Sequence, residues 1–299
     1  MTATSTIPIP VSVTNPGQFF ACCGLLELAD RLWHGAEGWF QDNIFRLRAV
    51  TATKLTTESA LFDAIVGCTV SNAMSQTQID RLTNLSVMSK AGRERTVGLE
   101  EEKKALEKLR REEPILLGAP FHLRINWFHD ENRGGNRFKT WAGQQSVIDI
   151  ASSMKTALQS SDLQTRGPDN WFSYSAIDCG LPFNFDSDLG GQGSALDIGF
   201  SFDPLAGSAV TRIGSSARPF LELLAFVGLQ RFRPRQIKNE NRYLYCAWNH
   251  PLPPEIAAPA ACGMLPLAGA PLYEFRLLYR TKYLKSFLPA IPFFGDSDE

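Results

Sequence analysis

The sequence predicts an α+β fold in which two long apolar helices share one core. Three observations support this fold class. The segment 7–13 alternates apolar residues with polar residues or proline, which is the period of a strand. The segment 16–33 repeats apolar residues at three- and four-residue spacing, as a buried helix does. A second apolar helix is predicted at 219–232, and strand patterns follow at 243–248 and 273–279.

These elements are expected to form one interlocked body over residues 1–299. A chain of this length with 44% hydrophobic residues can bury a large core, either as one domain or as two of ordinary size. Halves at 1–165 and 166–299 are the alternative division. A helical insertion is expected at about 71–113, where the composition becomes polar and charged.

The first helix carries its own start and stop signals. Asn15 suits the N-cap, and Pro16 suits the first helical position because its missing N–H would have no partner there. Gln18 lies three residues after Asn15, which comes close to a capping box. Gly24 costs roughly 1 kcal/mol relative to Ala in a helix interior. We therefore expect another backbone or ring to approach it closely. Gly35 is expected to end the helix in a left-handed conformation.

The remaining segments alternate between strand and helix patterns. A strand at 39–53 completes a strand–helix–strand unit that fits the opening of a ferredoxin-like or RNA-recognition-like unit, although many α+β folds begin in this way. The other predicted elements are a helix at 57–66, a mobile basic segment at 89–98, an exposed charged helix at 99–113, two strand pieces at 115–128 broken at 118–120, a helix at 144–158, a strand at 171–177, a strand at 195–202 and a loose tail at 289–299.

Composition favours a soluble cytoplasmic protein. The formal net charge is -1, which excludes a wholly basic nucleic-acid coat but leaves room for a local basic surface. The N-terminus lacks the basic start and apolar core of a signal peptide, and no apolar run is long enough to span a bilayer. Six cysteines without CxxC spacing indicate reduced thiols rather than a disulfide framework.

Sequence motifs for catalysis are missing, so we predict no enzyme activity, no metal, no cofactor and no small-molecule substrate. His129-Asp130 resembles the metal-binding pair of HD phosphohydrolases, but those sites need further His and Asp ligands and the chain has only 4 histidines. Asp186-Ser187-Asp188 lacks the ligand spacing of a calcium loop and is interpreted as a turn. The sequence contains no Walker loop, GxSxG elbow or dinucleotide fingerprint.

Four basic segments, three of them with interleaved aromatic residues, predict a nucleic-acid surface. Cationic side chains bind phosphates and aromatic rings stack on bases. In an extended chain the arginines at 231, 233 and 235 would share one side. Two alternatives remain: the aromatic residues pack inward, or the cations near 231 cap a helix C-terminus. The predicted contact residues are Lys90, Arg93 and Arg95; Arg133, Arg137, Lys139 and Trp141; Arg231, Arg233, Arg235, Lys238 and Arg242; and Lys282 and Lys285.

The first helix also carries a family resemblance. Asn15-Pro16-Gly17-Gln18-Phe19-Phe20, followed by Cys23-Gly24-Leu25-Leu26-Glu27-Leu28-Ala29, resembles the N-terminus of a subunit family of type I-U (also called I-G) CRISPR effector complexes. The resemblance extends to the aromatic-basic tail, and members of the family have about this length. It implies a non-catalytic component of an RNA-guided, DNA-targeting antiviral assembly. No residue role is carried over from the family.

Three roles within such a Cascade-like complex remain open. In the leading hypothesis, a large-subunit-like protein contacts target DNA near the flanking motif, guide RNA, or both. A backbone-type subunit would instead grip guide RNA through a ferredoxin-like sheet. An adaptor would bind the other subunits through the charged helix at 99–113. The expected partners are therefore guide RNA, target DNA and other effector subunits, with no membrane.

Overall fold

The computed structural model has the α+β fold that the sequence predicts, with small antiparallel sheets and packed helices. It describes residues 5–94, 96, 98–129, 138–141, 145–177, 182–190, 216–237, 241–265, 267–279 and 285–294. The elements are, in chain order, β1 Ile7–Pro10, α1 Pro16–Trp33, β2 Ala36–Gln41, β3 Ile44–Ala49, α2 Glu58–Gly67, β4 Val70–Asn72, α3 Gln76–Val87, α4 Lys90–Glu94, α5 Leu99–Glu112, β5 Ile115–Leu117, β6 Leu123–Ile125, α6 Val147–Ala157, α7 Ser161–Arg166, a 3₁₀ turn Gly167–Asn170, β7 Ala176–Ile177, α8 Ser187–Gly190, β8 Ser216–Ala217, α9 Pro219–Gly228, β9 Arg235–Gln236, β10 Arg242–Cys246, α10 Pro254–Ala261, β11 Leu272–Tyr279, β12 Lys285–Phe287 and β13 Ile291–Phe293. The predicted strand at 195–202 lies outside the described residues.

The N-terminal sheet has the strand order β1-β3-β2, and both of its pairs are antiparallel. β1 lies at the edge, as its prolines predict. The prediction of one strand over 39–53 is wrong, because β2 and β3 form a hairpin around Asp42 and Asn43. Both turn residues have positive φ (51° and 60°), as a two-residue type I′ turn requires. The order matches the first three strands of a ferredoxin-like unit, but among the described residues β3 alone pairs with β1.

Helix α1 begins and ends as predicted, at Pro16 and Trp33. The Asn15 side chain accepts a hydrogen bond from the Gln18 backbone N–H at 3.3 Å, which confirms the N-cap. The Gln18 side chain does not complete a capping box, because its Oε1 accepts instead from the Ser12 N–H at 2.7 Å. At the other end, His34 takes the left-handed helical conformation with φ 56°, and Gly35 after it also has a positive φ, 139°.

Helices α1 and α9 cross at Gly24 and Gly228 in the centre of the core. A Cβ added to Gly24 would lie 2.0 Å from the carbonyl oxygen of Leu224. A Cβ added to Gly228 would lie 2.1 Å from the carbonyl oxygen of Phe20. The two backbones are therefore in direct contact, which confirms both the close approach predicted at Gly24 and the shared core of the two helices.

The segment between β4 and β5 is helical, as the predicted insertion requires. β4 and β5 pair directly, so α3, α4 and α5 form an excursion from one antiparallel pair. Helix α5 has no buried residue in the described structure, which confirms the exposed charged helix. The expectation of a mobile segment at 89–98 is corrected in part, since residues 90–94 form α4. β5 and β6 are separated at 118–122, as predicted.

The C-terminal sheet follows the order β12-β11-β10-β9, and β13 also pairs with β11. Strands β10 and β11 confirm the two predicted strands at 243–248 and 273–279. The predicted loose tail is corrected, because residues 291–293 are paired in β13. The predicted strand at 171–177 is reduced to its last two residues, 176–177, because Trp171 to Ser173 form a turn.

Hydrogen bonds join the N-terminal and C-terminal segments. Gly38 in β2 exchanges two backbone hydrogen bonds with Leu252, at 3.0 and 3.1 Å. The Trp248 indole donates to the Gly38 carbonyl at 2.6 Å, and the Tyr245 hydroxyl donates to the Val13 carbonyl at 2.6 Å. The first fifty residues and the last sixty thus build one continuous core with α1 at its centre.

Candidate nucleic-acid interface

The chain that leaves α9 presents arginines on one side only. From Arg231 to Arg235, exposed arginines alternate with buried Phe232 and Pro234. Phe232 is anchored by stacking on Trp248, with ring centroids 6.0 Å apart. Because a buried residue holds each alternate position, the side chains of Arg233 and Arg235 project together towards solvent. Within the described part of the chain neither has an ion pair.

Arg231 has a structural role that distinguishes it from the other two. Its Nε donates to Glu27 Oε2 at 2.6 Å, and its Nη1 lies 3.7 Å from Glu255 Oε1. The Glu27 side chain is only 4% exposed and also accepts a hydrogen bond from Arg31 at 2.8 Å. Arg231 therefore neutralises a buried carboxylate on α1, since an unpaired buried charge is costly. The predicted row of three phosphate-binding arginines is therefore corrected to two, because Arg231 is engaged by Glu27 and Glu255.

Strand pairing extends this basic surface across the C-terminal sheet. Arg235 in β9 lies opposite Leu244 in β10, which lies opposite Glu274 in β11. Arg242 and Arg276 are direct partners two residues further along, so all these side chains share one face. Two cross-strand steps of about 5 Å place the Cα atoms of Arg235 and Glu274 roughly 10 Å apart. The row Arg233–Arg235 and the pair Arg242–Arg276 thus form one surface, here termed the arginine surface.

Glu274 organises the two arginines on β10 and β11. It is almost fully buried and accepts a short hydrogen bond from Arg242, while Arg276 Nε lies 3.6 Å from its other carboxylate oxygen. The hydrogen bond from Arg242 holds the pKa of Glu274 below its usual range, so it stays ionised. Among the described residues this surface has four arginines and one carboxylate, so that part of it carries a net positive charge. Arg276 was not among the contact residues predicted from the sequence, although it alternates with core-facing residues of the predicted strand at 273–279.

The second basic segment packs its aromatic residues inward. Trp141 is 2% exposed and contacts Trp127, with ring centroids 5.9 Å apart, and Phe183, with centroids 5.3 Å apart. This burial does not fit the base-stacking role predicted for Trp141, because an indole enclosed by other rings has no free face. Lys139 lies with its Nζ 5.6 Å from the Trp141 ring centroid, and partial burial lowers its pKa. Arg133 and Arg137 lie outside the described residues.

The first basic segment uses Arg93 inside the protein. Arg93 is buried, its Nε donates to Glu100 at 2.8 Å, and its Nη1 donates to the carbonyl oxygens of Leu85, at 3.0 Å, and Met88. These bonds tie α4 to α3 and α5, so in this conformation the Arg93 guanidinium is not available to bind phosphate. Lys90 is exposed at the start of α4. Arg95 lies outside the described residues.

The fourth basic segment adjoins the second. Lys285 in β12 receives a cation–π contact from the Tyr279 ring, whose centroid lies 5.2 Å from its Nζ. Its backbone N–H donates to the Thr140 carbonyl at 2.9 Å, which brings the two predicted segments together. Lys238 in the third segment and Lys282 in the fourth lie outside the described residues.

A buried polar cluster lies where α1 and α9 begin. Its one visible signal in the sequence is a Glu within an apolar helix. Glu222 accepts from the backbone N–H groups of Phe185 and Asp186, at 3.3 and 3.2 Å. Burial raises the pKa of Glu222 to about 8, and the charge of Asp186 adds to this shift. Asp186 accepts from Asn15 at 2.8 Å and from Arg218 at 3.1 Å. The cluster fixes the loop at 183–187 against both helices.

Comparison with known protein families, with curated proteins and with solved structures found no match. In the described residues no helix is long and apolar enough to cross a membrane. No three His, Cys, Asp or Glu side chains of the described residues come together as a possible metal site. The geometry of the arginine surface is therefore the main structural guide to function.

Proposed function

We propose that the protein is a non-catalytic, large-subunit-like component of a cytoplasmic type I CRISPR surveillance complex. In this role it contacts target DNA near the flanking motif, guide RNA, or both. The observation that carries the proposal is the arginine surface, on which Arg233 and Arg235 are exposed without ion pairs in the described part of the chain. The resemblance of residues 15–29 to a type I-U subunit family supports the choice of assembly.

The chemistry of this surface suits the nucleic-acid backbone. Guanidinium groups form paired, charge-assisted hydrogen bonds with phosphate oxygens. Such contacts position a duplex without reading its sequence, whereas base pairing with the guide supplies specificity. Arg242 and Arg276 are held by Glu274, which pre-orients them before a ligand arrives. Arg233 and Arg235 supply the unpaired charge.

A second candidate function is that of an adaptor between subunits. Helix α5 exposes both signs of charge along its length, and the side chain of Val87 at the end of α3 is 84% exposed. A surface of this kind suits contact with another protein rather than with phosphates. The adaptor role predicts that the protein joins the complex without binding nucleic acid itself.

The test measures binding of the purified protein to a fluorescein-labelled DNA duplex and to guide RNA between roughly 50 and 200 mM salt. The double variant Arg233→Ala/Arg235→Ala removes the two unpaired charges. The control Lys54→Ala/Arg124→Ala removes two exposed cations elsewhere that have no ion pair in the described residues. Each phosphate contact contributes about 0.9 to the slope of log K against log salt for duplex DNA.

We expect the double variant to bind more weakly and to reduce the duplex slope by about 1.8, while the control binds as the wild type does. A preference for RNA over duplex would favour the backbone-type role. If the double variant Arg233→Ala/Arg235→Ala keeps the wild-type slope of log K against log salt, as the control does, the arginine surface does not bind nucleic acid. If the wild type binds neither ligand but still assembles with the other subunits, the adaptor role is favoured.

A further inference from the structure

The outer face of the N-terminal sheet carries an arginine and a tryptophan side by side. Along β3, Phe45, Leu47 and Ala49 are buried towards α1, so the intervening Ile44, Arg46 and Arg48 face outward. By the strand register, Trp39 of β2 and Pro8 of β1 flank Arg46 on this face. Arg46 and Trp39 are half-buried and Pro8 is exposed. These side chains are termed the sheet platform.

Arg46 has no charge partner on the sheet platform. Among the described residues it forms no ion pair, and its Nε is enclosed without a hydrogen-bond partner. An arginine held at the centre of a sheet by its neighbours loses side-chain freedom, and without an anion it gains no electrostatic stabilisation in return. Its guanidinium therefore presents an uncompensated positive charge in a fixed place, which suits an anionic ligand.

Arg48 has a different role from Arg46. Its Nη2 lies 2.7 Å from Glu37 Oε2, which neutralises its charge. Its guanidinium carbon lies 5.3 Å from the centroid of the Trp39 ring, a cation–π contact that orients the indole. The platform thus combines an oriented aromatic ring with one unpaired cation beside it. A ligand that matches both groups has planar rings and a negatively charged backbone.

We infer that the sheet platform binds a single strand of nucleic acid. A base stacks against Trp39 and the Arg48 guanidinium, while Arg46 bonds the adjacent phosphate. A duplex is excluded here because its paired bases are stacked on one another and cannot reach the ring. Strands β2 and β3 have six residues each and extend about 20 Å, and the three strands together span roughly 10 Å. This is room for the two or three bases that an open sheet face stacks in RNA-recognition domains.

The inference deepens the proposed function, because it assigns a single-stranded ligand to a surface that shares no residue with the arginine surface. Guide RNA and the displaced DNA strand offer the same chemistry of base and phosphate. The 2′-hydroxyl is what distinguishes them at a given site. RNA and DNA oligonucleotides of one sequence therefore serve as the two arms of the test.

The experiment measures Kd by fluorescence anisotropy for the full chain with each oligonucleotide over a salt series. Trp39→Ala removes the stacking ring, and Trp39→Phe keeps an aromatic face. Arg46→Ala removes the unpaired charge. Arg124→Ala is the control, because Arg124 is an exposed strand arginine that, like Arg46, has no ion pair in the described residues. Thermal melting verifies that each variant is folded.

We expect Trp39→Ala to raise Kd for a single strand roughly 5- to 150-fold and Trp39→Phe to retain most of the affinity. Arg46→Ala should reduce the salt slope by about 0.7, and Arg124→Ala should leave it unchanged. Tighter binding of RNA identifies the guide as the ligand, and tighter binding of DNA identifies the displaced strand. Equal binding supports single-strand recognition through base and phosphate alone.

The outcomes separate this inference from the proposed function. If Arg233→Ala/Arg235→Ala weakens duplex binding while the Trp39 and Arg46 variants bind single strands normally, the sheet-platform inference is overturned and the proposed function stands. If the Trp39 and Arg46 variants lose single-strand binding while Arg233→Ala/Arg235→Ala binds duplex DNA as the wild type does, the sheet-platform inference is supported and the duplex role is contradicted. A wild-type protein that binds no nucleic acid overturns both.

Discussion

The crossing of α1 and α9 depends on two glycines, and its sensitivity to one methyl group follows from the geometry. In Gly24→Ala the new Cβ would meet the Leu224 carbonyl oxygen at 2.0 Å. That oxygen belongs to the backbone of α9 and cannot rotate aside. Relief requires the two helices to separate by roughly 1.5 Å, the difference between 2.0 Å and an ordinary van der Waals contact of about 3.5 Å. Separation loosens the packing of the fully buried residues around the crossing.

Two opposing effects set the size of the change. Ala is favoured over Gly by about 1 kcal/mol in a helix interior. Overpacking a core costs about 1–3 kcal/mol and occasionally more, and a clash between two backbones lies at the upper end of that range. We therefore expect a net loss of about 2 kcal/mol or more in the free energy of unfolding. For a chain of this size the melting temperature should fall by roughly 4 °C or more.

Thermal and urea unfolding of Gly24→Ala and Gly228→Ala measure this loss. The matched control is Gly67→Ala, because Gly67 is also helical but an added Cβ would have no atom within 4 Å. The control should be as stable as the wild type or slightly more stable. A Gly24→Ala protein that melts at or above the wild-type temperature would refute the close contact of the two backbones.

Two further predictions concern buried side chains. Because the pKa of Glu222 is raised to about 8 in the fold from an ordinary value of 4.5, the native state binds more protons than the unfolded chain between these values. The free energy of unfolding should therefore fall as pH rises through this window, by an amount on the order of 5 kcal/mol at most. In urea unfolding, Glu222→Gln should show a smaller fall over the same pH range. Trp141→Ala should cost about 3–5 kcal/mol in the same assay, and the milder Trp141→Phe should lower the melting temperature without changing Kd for nucleic acid. If the stability of Glu222→Gln depends on pH as that of the wild type does, the role of Glu222 is contradicted. If Trp141→Phe loses affinity for nucleic acid while its melting temperature is unchanged, the structural role of Trp141 is contradicted.

Local patterns predicted most elements correctly because their causes are local. The Asn15 cap, the crossing at Gly24 and the paired strands β10 and β11 follow from short-range spacing and from the needs of a helix interior. The hairpin at Asp42–Asn43 was missed, although both residue types tolerate positive φ. The signal was present, but the apolar run on either side of it obscured the turn.

The candidate sites were less predictable, because burial of a charged or aromatic side chain depends on residues far away in the chain. Arg231 is paired with Glu27, 204 residues earlier, and no spacing rule connects the two. Trp141 is enclosed by rings from segments around 127, 183 and 226. Considered alone, each segment therefore left both a surface role and a structural role open. The pairing of Trp39 with Arg46 was missed for the same reason, since it requires the register of β2 and β3.

The sequence by itself determined the α+β class, the positions of the apolar helices and the presence of a charged helical insertion, because hydrophobic periodicity and caps act over a few residues. It also indicated that basic residues would concentrate near 231–242. Only the tertiary structure decided which of these cations neutralise buried carboxylates and which remain exposed. That distinction depends on long-range contacts, and the cost of an unpaired buried charge determines the partner of each arginine.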